Sequence, residues 1–293
     1  MTFRATLGFR LFAMHITIVS ALIVAVVCPA ENPFFAMDTG VSGTPAEVAG
    51  VLEELGYAGL GGSPTGAGEM AAALQQHDLR LFNVYWVLKF DDQTPALSDS
   101  LRDCIDSLRG YESALWIAVS EVRKEGQPVA LSSTDGDDIA VSKLREIADY
   151  AAARDVSVSL YPHTNYWMQR FEDSIRLAEK LDRSDVGITF NLCHWLKVEG
   201  DRDPSELLTR SMPRLSFVTL NGADRGDTRS MGWSRLIQPL GSGSYDGGRL
   251  VETLHAMNYK GPVGLQAYGI KGDQRENLRR SMDAWKAMQP KNE

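Results

Sequence analysis

Cysteine is scarce in this chain, which has three in 293 residues, at positions 28, 104 and 193. A disulfide framework needs an even set of cysteines, and structural zinc needs Cys-x-x-Cys pairs or Cys/His clusters, so neither is expected. Cys104 lies in a predicted helix and Cys193 at a predicted strand end, where isolated cysteines usually behave as small buried hydrophobes. The sequence therefore excludes a disulfide-rich or zinc-ribbon protein.

Positive charge is also in deficit. The chain has 30 Lys and Arg residues against 38 Asp and Glu residues, a formal net charge of -8 at pH 7. A nucleic-acid surface needs clustered Lys and Arg to meet phosphates, and the sequence contains no basic stripe. We expect a small-molecule ligand rather than a nucleic acid.

Long apolar runs are absent apart from one near the N-terminus, residues 16–27. Arginines precede this run and small residues follow it, an order typical of a secretory signal. We predict that residues 1–30 are a signal peptide and that residues 31–293 form the mature protein, exported to the periplasm or secreted, with no membrane span left after cleavage. The alternatives are an uncleaved anchor, for which the run is shorter than the roughly 20 residues of a span, and a lipid-modified Cys28.

The rest of the sequence alternates short apolar runs with amphipathic helical stretches. Its length and its apolar content of 44% suit one large domain with a sizeable core. Eight strands alternating with eight helices predict a single-domain α/β fold, a (β/α)8 TIM barrel. A doubly wound sheet is the alternative, but its Gly-x-Gly-x-x-Gly turn is missing. Residues 123–138 are predicted to form a long loop over one barrel face. The predicted strands span residues 33–37, 57–60, 80–88, 114–119, 156–160, 186–190, 215–220 and 262–265.

Polar side chains follow most of these predicted strands. The strand at residues 186–190 leads directly into Asn191 and His194. In a (β/α)8 barrel the C-terminal ends of the strands meet at one mouth, where ligands bind. We therefore expect the strand-end residues to converge on one pocket. The others in this set are Asp38, Tyr85, Glu121, His163, Asn221 and Gln266.

Four motifs occur in a fixed order along the second half of the chain: Asn191-x-x-His194, Asn221-Gly-Ala-Asp224, the run at 239–246 and the run at 257–261. On these motifs, residues 33–288 resemble the xylose isomerase-like TIM barrels, a group that contains sugar isomerases, sugar epimerases, inosose dehydratases and apurinic endonucleases. The resemblance implies a sugar or sugar derivative as ligand. It also implies one divalent metal, Mn or Mg, and a carboxylate pair that moves a proton next to a carbonyl.

Most of the ligand positions that the resemblance implies carry other residue types. Carried over by position, its carboxylates fall at Tyr161, Asn191 and Gln266, one histidine falls at Asn221, and His194 alone is retained. Hard divalent ions are held chiefly by anionic oxygen, so the affinity for Mg²⁺ or Mn²⁺ should fall sharply. Amides also cannot accept a proton as carboxylates do. A metal held by His194, Asn191 and Gln266 is one expectation, and a site without metal is the other.

The remaining candidates are assigned by their chemistry. His163 is a candidate base because histidine changes charge near neutral pH, and Glu121 is a second unless it pairs with Arg123 or Lys124. Tyr161 would donate a proton to a developing enolate oxygen, or stack on a sugar. The alternative for the histidines is a hydrogen-bonded structural pair. The residues expected to bind substrate are Asn191, Asn221, Gln266, Asp38, Tyr85 and Trp195.

Together these features predict an exported enzyme related to sugar isomerases and epimerases, acting by proton transfer next to a carbonyl of an unphosphorylated sugar or sugar derivative. Two alternatives stay open. One is a non-catalytic carbohydrate-binding barrel that lost its metal site, and the other is a lyase or hydratase on the same scaffold. The sequence makes no prediction of the oligomeric state.

Overall fold

Short buried strands alternate with amphipathic helices through the computed structural model, which describes Met1 and residues 32–290. The predicted signal peptide lies outside the described residues. Within residues 32–290, no helix combines the length and apolar character that crossing a membrane requires.

Eight parallel strands close into a barrel, because each strand pairs with the next and the first of the chain pairs with the last. The pairing order is β3-β2-β1-β9-β8-β7-β6-β4, and β3 also pairs with β4. A ninth, short strand, β5, pairs antiparallel with the end of β4. The predicted TIM barrel is confirmed. The strands are β1 Phe34–Met37, β2 Gly59–Gly62, β3 Arg80–Asp91, β4 Ala114–Lys124, β5 Gln127–Pro128, β6 Ser157–Leu160, β7 Val186–Asn191, β8 Leu215–Leu220 and β9 Val263–Leu265.

Helices cover the outside of the barrel and bury their apolar faces against it. The first begins with Thr44 as N-cap, Pro45 in the first turn and Glu47 completing a capping box. In the described part of the chain the helices are α1 Pro45–Leu55, α2 Ala67–Gln75, α3 Asp99–Ser107, α4 Asp137–Ala152, α5 Phe171–Leu181, α6 Leu192–Glu199, α7 Ser205–Ser211, α8 Trp233–Leu236, α9 Gly247–Ala256 and α10 Gln274–Met288.

Aromatic rings fill the barrel interior below its mouth. Phe35 stacks on Phe82 with ring centroids 4.8 Å apart, and Trp116 meets the edge of Phe217 at 5.1 Å. Trp116 also stacks under Tyr161 at 5.0 Å. Close-packed rings leave little freedom for neighbouring side chains, so they form a rigid floor under the mouth.

Two parts of the sequence prediction were wrong. The loop predicted at residues 123–138 is mostly structured, because β4 continues to Lys124, turns back through β5, and α4 begins at Asp137. The short helices α6 and α8 were not predicted either. Both lie directly at the barrel mouth, where they shape the site described next.

Candidate active site

A cavity of about 420 Å³ opens at the C-terminal ends of the strands. This volume lies in the range of small-molecule sites. Five of the predicted strand-end residues meet in its wall: Asp38, Tyr85, His163, His194 and Gln266. The others that line it are Met37, Thr39, Gly62, Ser63, Tyr161, Tyr166, Cys193, Trp233, Ile237 and Tyr268.

His163 and His194 lie side by side in this wall, with ring centroids 4.1 Å apart. The backbone of Thr164 contacts both rings. Nδ1 of His163 lies 2.8 Å from the Thr164 carbonyl oxygen, which can only accept, so this nitrogen carries the proton. The Thr164 N–H donates to Nδ1 of His194 at 3.4 Å, and the Thr164 hydroxyl lies 3.0 Å from the same atom, so this nitrogen is the acceptor. The neutral histidines therefore adopt opposite tautomers, with a lone pair on Nε2 of His163 and a proton on Nε2 of His194.

Burial keeps both imidazoles neutral at pH 7. Desolvation lowers the pKa of His163, although its bond to the Thr164 carbonyl opposes the shift. Desolvation, and then repulsion from His163, lowers the pKa of His194 well below 6.5. The site thus holds one neutral acceptor nitrogen and one neutral donor nitrogen next to each other.

Tyr161 is buried beside the histidines, with its hydroxyl between two amides. The Nδ2 group of Asn191 donates to this hydroxyl, and the neighbouring Gln266 side chain acts on the pKa of Tyr161 in the same direction, lowering it. Burial nevertheless raises the pKa of Tyr161 well above 10, so the phenol stays protonated. Cys193 also stays protonated, because burial raises the pKa of its thiol.

The orientation of both amides follows from backbone donors. The Oδ1 atom of Asn191 accepts from the His194 N–H at 3.1 Å, as the N-cap of α6. The Oε1 atom of Gln266 accepts from the Tyr268 N–H at 3.1 Å. Because a backbone N–H can only donate, the amide oxygens are identified and the NH₂ groups must face Tyr161.

These donors do not fit the divalent metal that the sequence resemblance implied. A cation needs oxygen or nitrogen lone pairs, whereas Asn191 and Gln266 turn N–H groups toward Tyr161 and use their oxygens elsewhere. Among the residues that the structure describes, no group of three or more His, Cys, Asp and Glu side chains is arranged to hold a metal. We therefore derive no chemistry through a metal ion.

The cavity lining contains a single acidic side chain. Asp38, at the end of β1, accepts a hydrogen bond from the Ser63 hydroxyl. Thr39 donates to Oε1 of Gln266 at 3.3 Å. The lining contains no Lys or Arg. A site with one carboxylate and no cation favours a ligand without negative charge.

The structure does not bring Glu121 to the cavity. Its carboxylate lies 2.7 Å from Nε of Arg123, and this hydrogen bond lowers its pKa. The physical reason is the unpredicted length of β4, which carries Glu121 past the mouth and pairs it with Lys89 of β3 after a register shift. The ion pair is the alternative that the sequence left open.

Trp195 and Asn221 are also outside the cavity lining. Trp195 packs on Phe190 with ring centroids 5.8 Å apart and donates from Nε1 to the Arg202 carbonyl at 3.1 Å. The helix α6 begins immediately after Asn191, so a residue four positions later turns toward the outer layer.

Asn221 supports the cavity wall from behind. Its Nδ2 group donates to the carbonyls of Gly222 and Leu236, at 2.9 and 2.6 Å. The Leu236 carbonyl ends α8, so this bond holds the segment that brings Trp233 and Ile237 into the lining. Gly222 permits the contact, because a Cβ there would lie 2.2 Å from the Pro239 carbonyl oxygen.

Sequence reasoning missed several residues of the site. Ser63 follows the glycine-rich strand β2, and Trp233 and Ile237 belong to a short segment without a helical pattern. Thr164 was missed although it follows His163 directly. Its role could not be predicted from the sequence, because it depends on backbone atoms that contact both imidazoles and on a hydroxyl that the fold places 3.0 Å from Nδ1 of His194.

Comparisons with known proteins agree with this architecture. The family model described as the xylose isomerase-like TIM barrel matches residues 49–288. A D-allulose 3-epimerase from Methylomonas sp. is 14% identical, with a TM-score of 0.68 over 89% of this chain and 99% of its own. The 3-keto-D-glucoside 4-epimerase from E. coli is 18% identical, with a TM-score of 0.66 over 87% of this chain and 98% of its own.

A third similar structure, the IOLI protein with a bound zinc atom, is 11% identical, with a TM-score of 0.68 over 87% of this chain and 97% of its own. No curated protein matches the chain in sequence. At these identities the structural likenesses show the fold alone, whereas the family model covers most of the chain. The resemblance seen in the strand-end motifs is thereby confirmed, and the chain belongs to the xylose isomerase-like TIM barrel family.

Proposed function

We propose that this barrel is an enzyme that transfers a proton at the carbon next to the carbonyl of an uncharged sugar, as an isomerase or epimerase. The observation that carries the proposal is the pair of opposite tautomers of His163 and His194 in one cavity wall. Proton transfer at carbon needs a base with a free lone pair and a donor that faces the same ligand, and this pair supplies both.

In this reaction His163 acts as the base. Its Nδ1 atom is bound to the Thr164 carbonyl, so Nε2 is the nitrogen left for the substrate. The Nε2–H group of His194 is free in the same way to hydrogen-bond a substrate oxygen. Returning the proton to the opposite face of the same carbon gives epimerisation. Returning it to the neighbouring carbon gives isomerisation, in which the hydroxyl proton of the enediol moves to the enolate oxygen.

The composition of the cavity supports a neutral, unphosphorylated sugar. Aromatic faces bury the C–H surfaces of sugars, and Tyr85, Tyr166 and Trp233 provide such faces. Asp38 and Ser63 supply hydrogen-bonding groups of the type that sugar hydroxyls need. Because no Lys or Arg lines the wall, a phosphate would enter beside Asp38 without a counter-charge.

Solvent exchange tests the proposal. The protein is incubated in D₂O with a panel of keto-sugars, including D-allulose and 3-keto-D-glucosides because similar structures are named as epimerases of these sugars. We expect NMR to show deuterium entering next to the carbonyl of at least one sugar. The variant His163→Asn should lose this exchange. The control variant His77→Asn should retain it, because His77 pairs with Glu53 on the outer surface. Absence of exchange into every sugar would contradict the proposal.

A non-catalytic carbohydrate-binding barrel is the second candidate. It is favoured by the way Asn191 and Gln266 face Tyr161 with N–H groups where the resemblance implied carboxylates. Calorimetric binding of a sugar that undergoes no deuterium exchange would support this second candidate over the enzyme.

We also propose that the protein is exported. The support is the sequence pattern of residues 1–30, with an apolar run between arginines and small residues. Expression of the full chain in a bacterium, followed by N-terminal sequencing of the protein from the periplasm or medium, tests this. A mature chain that begins near residue 31 is expected, and an intact N-terminus in the membrane fraction would indicate an anchor instead.

A further inference from the structure

We propose that the Tyr161 hydroxyl, fixed by Asn191 and Gln266, stabilises the enolate oxygen of the substrate, so that proton transfer in this barrel needs no metal ion. The inference rests on the proposed function, because it concerns the same reaction. Tyr161 would be a catalytic residue, and the two amides would be positioning residues rather than substrate ligands.

The direction of the hydroxyl hydrogen follows from its two donors. The Asn191 amide donates to the phenol oxygen, and the Gln266 side chain, whose oxygen is occupied by the Tyr268 N–H, interacts with the same hydroxyl. An amide nitrogen offers no lone pair, so the hydroxyl hydrogen cannot point back at either group. Among the side-chain hydrogen bonds of the described residues, Tyr161 accepts and does not donate. Since Tyr161 lines the cavity, its O–H remains for a ligand atom.

Neither amide is free to rotate and reverse this pattern. Asn191 Oδ1 accepts from the His194 N–H at 3.1 Å and from the Cys193 thiol at 3.0 Å. Gln266 Oε1 accepts from the Tyr268 N–H at 3.1 Å and from the Thr39 hydroxyl at 3.3 Å. If either amide rotated by 180°, its NH₂ group would face a backbone N–H, and both buried donors would lose their hydrogen-bond acceptors.

The ring itself is held as firmly as the hydroxyl. It stacks on Trp116 at 5.0 Å and meets the edge of Tyr85 at 5.1 Å, above the aromatic floor of the barrel. A buried donor that is already oriented needs no reorganisation when charge develops on the substrate. Such fixed dipoles are the most effective stabilisers of oxyanions.

The step balances without any co-reactant. Nε2 of His163 takes a proton from the carbon next to the carbonyl, and the electron pair of the broken C–H bond forms the C=C bond of an enolate. The carbonyl π pair moves to oxygen, which accepts a hydrogen bond from Tyr161 and no proton from it. When His163 returns the proton to the opposite face of the same carbon, after the planar enolate has turned over in the cavity, the C–H bond re-forms with inverted configuration and the carbonyl is restored. When it returns the proton to the neighbouring carbon, the hydroxyl proton of the enediol moves to the enolate oxygen, so that the first carbon becomes the new carbonyl. No external oxidant or reductant is needed in either case.

Infrared difference spectroscopy of bound, carbonyl-¹³C-labelled D-allulose tests the inference without requiring turnover. In the wild-type protein with chelator present, we expect the carbonyl stretch to lie below its frequency in water. The variant Tyr161→Phe should return the carbonyl stretch toward its frequency in water. The control variant Tyr150→Phe should leave the shift unchanged, because Tyr150 lies outside the cavity and donates to Asp106. An equal shift in wild type and Tyr161→Phe would overturn the inference.

A second variant keeps the ring and tests the positioning residue. Gln266→Glu preserves the side-chain shape but replaces the donor facing Tyr161 by a carboxylate oxygen, which would accept the hydroxyl hydrogen and withdraw it from the cavity. We expect the carbonyl shift to be lost although the phenol remains. A shift that survives this change would count against the role of Gln266 and therefore against the inference.

Exchange kinetics separate this inference from the proposed function. Tyr161→Phe should slow deuterium exchange about 100- to 1,000-fold, the typical effect of removing one oxyanion donor, with less change in sugar affinity. Chelator should leave the wild-type rate unchanged. Wild-type exchange that stops with chelator and resumes with Mn²⁺ would overturn the inference while supporting the proposed function. A wild-type protein that shifts the carbonyl stretch but exchanges no proton would overturn the proposed function, and Tyr161 would then bind the carbonyl oxygen without catalysing proton transfer.

Discussion

His163 and His194 have ring centroids 4.1 Å apart, yet their neutral tautomers are opposite because one residue, Thr164, accepts from the first and donates to the second. At this separation in a desolvated wall, protonation of one ring opposes protonation of the other. The pair therefore behaves as one unit with a single free lone pair and a single outward N–H.

The pH dependence of exchange should report the lone pair of His163. Burial lowers the pKa of this residue below 6.5, so its base form predominates above that pH. We expect the apparent second-order rate constant of exchange to stay nearly level from pH 8 to 7. It should then fall about tenfold per unit once the pH drops below the pKa of His163. A rate that already declines between pH 8 and 7 would contradict the lowered pKa.

Folding stability should weaken with acid for a related reason. The pKa of His194 is lowered well below 6.5, so the unfolded chain binds a proton more readily than the folded one. Its contribution to stability is present above pH 6.5 and is lost as the pH falls below it, at a slope of up to about 1.4 kcal/mol per pH unit. Urea unfolding between pH 5 and 7 measures the slope, which His194→Gln should reduce. If the variant has a slope as steep as that of the wild type, a residue other than His194 causes the loss of stability in acid.

Thr164→Val should disturb the tautomers while it preserves the backbone. The change removes the hydroxyl 3.0 Å from Nδ1 of His194 and leaves only the weaker N–H contact at 3.4 Å. Long-range ¹⁵N–¹H NMR should show one tautomer of His194 in the wild type and a mixture in the variant, with a stability loss of about 1 kcal/mol. The matched control is Thr209→Val, which removes an exposed hydroxyl that donates to the Ser205 carbonyl in α7. An unchanged His194 spectrum would show that the hydroxyl does not fix the ring.

The sequence predicted the barrel and part of the site for separate physical reasons. Apolar periodicity identifies the strands, and a parallel barrel must bring their C-terminal ends together, so Asp38, Tyr85, His163 and Gln266 could be placed at one mouth. What periodicity cannot show is how far a strand continues beyond the barrel. The extra length of β4 is the reason that Glu121 failed to reach the cavity.

The orientation of the Asn191 and Gln266 side-chain amides could not be predicted from the sequence either. Asn191 and Gln266 were predicted to bind a metal or sugar hydroxyls, because both residue types have acceptor oxygens. In the fold, backbone N–H groups of residues close in sequence occupy those oxygens. Which end of an amide faces a cavity depends on such local donors, and residue identity alone cannot decide it.

Metal affinity provides the last prediction, because it depends on that orientation. Wild-type protein should show no saturable binding of Mn²⁺ by calorimetry in the micromolar range, since Asn191 and Gln266 face Tyr161 with N–H groups. In the double variant Asn191→Asp/Gln266→Glu, each carboxylate keeps one oxygen on its backbone N–H and turns the other toward Tyr161. Two such oxygens repel each other unless a cation lies between them, so Mn²⁺ binding should appear and should stabilise the folded protein. The double variant Glu121→Asp/Asp201→Glu, outside this cavity, is a control for changed surface carboxylates. Tight Mn²⁺ binding by the wild type would show instead that the amides turn their oxygens inward, contrary to the hydrogen bonds on which the role of Tyr161 depends.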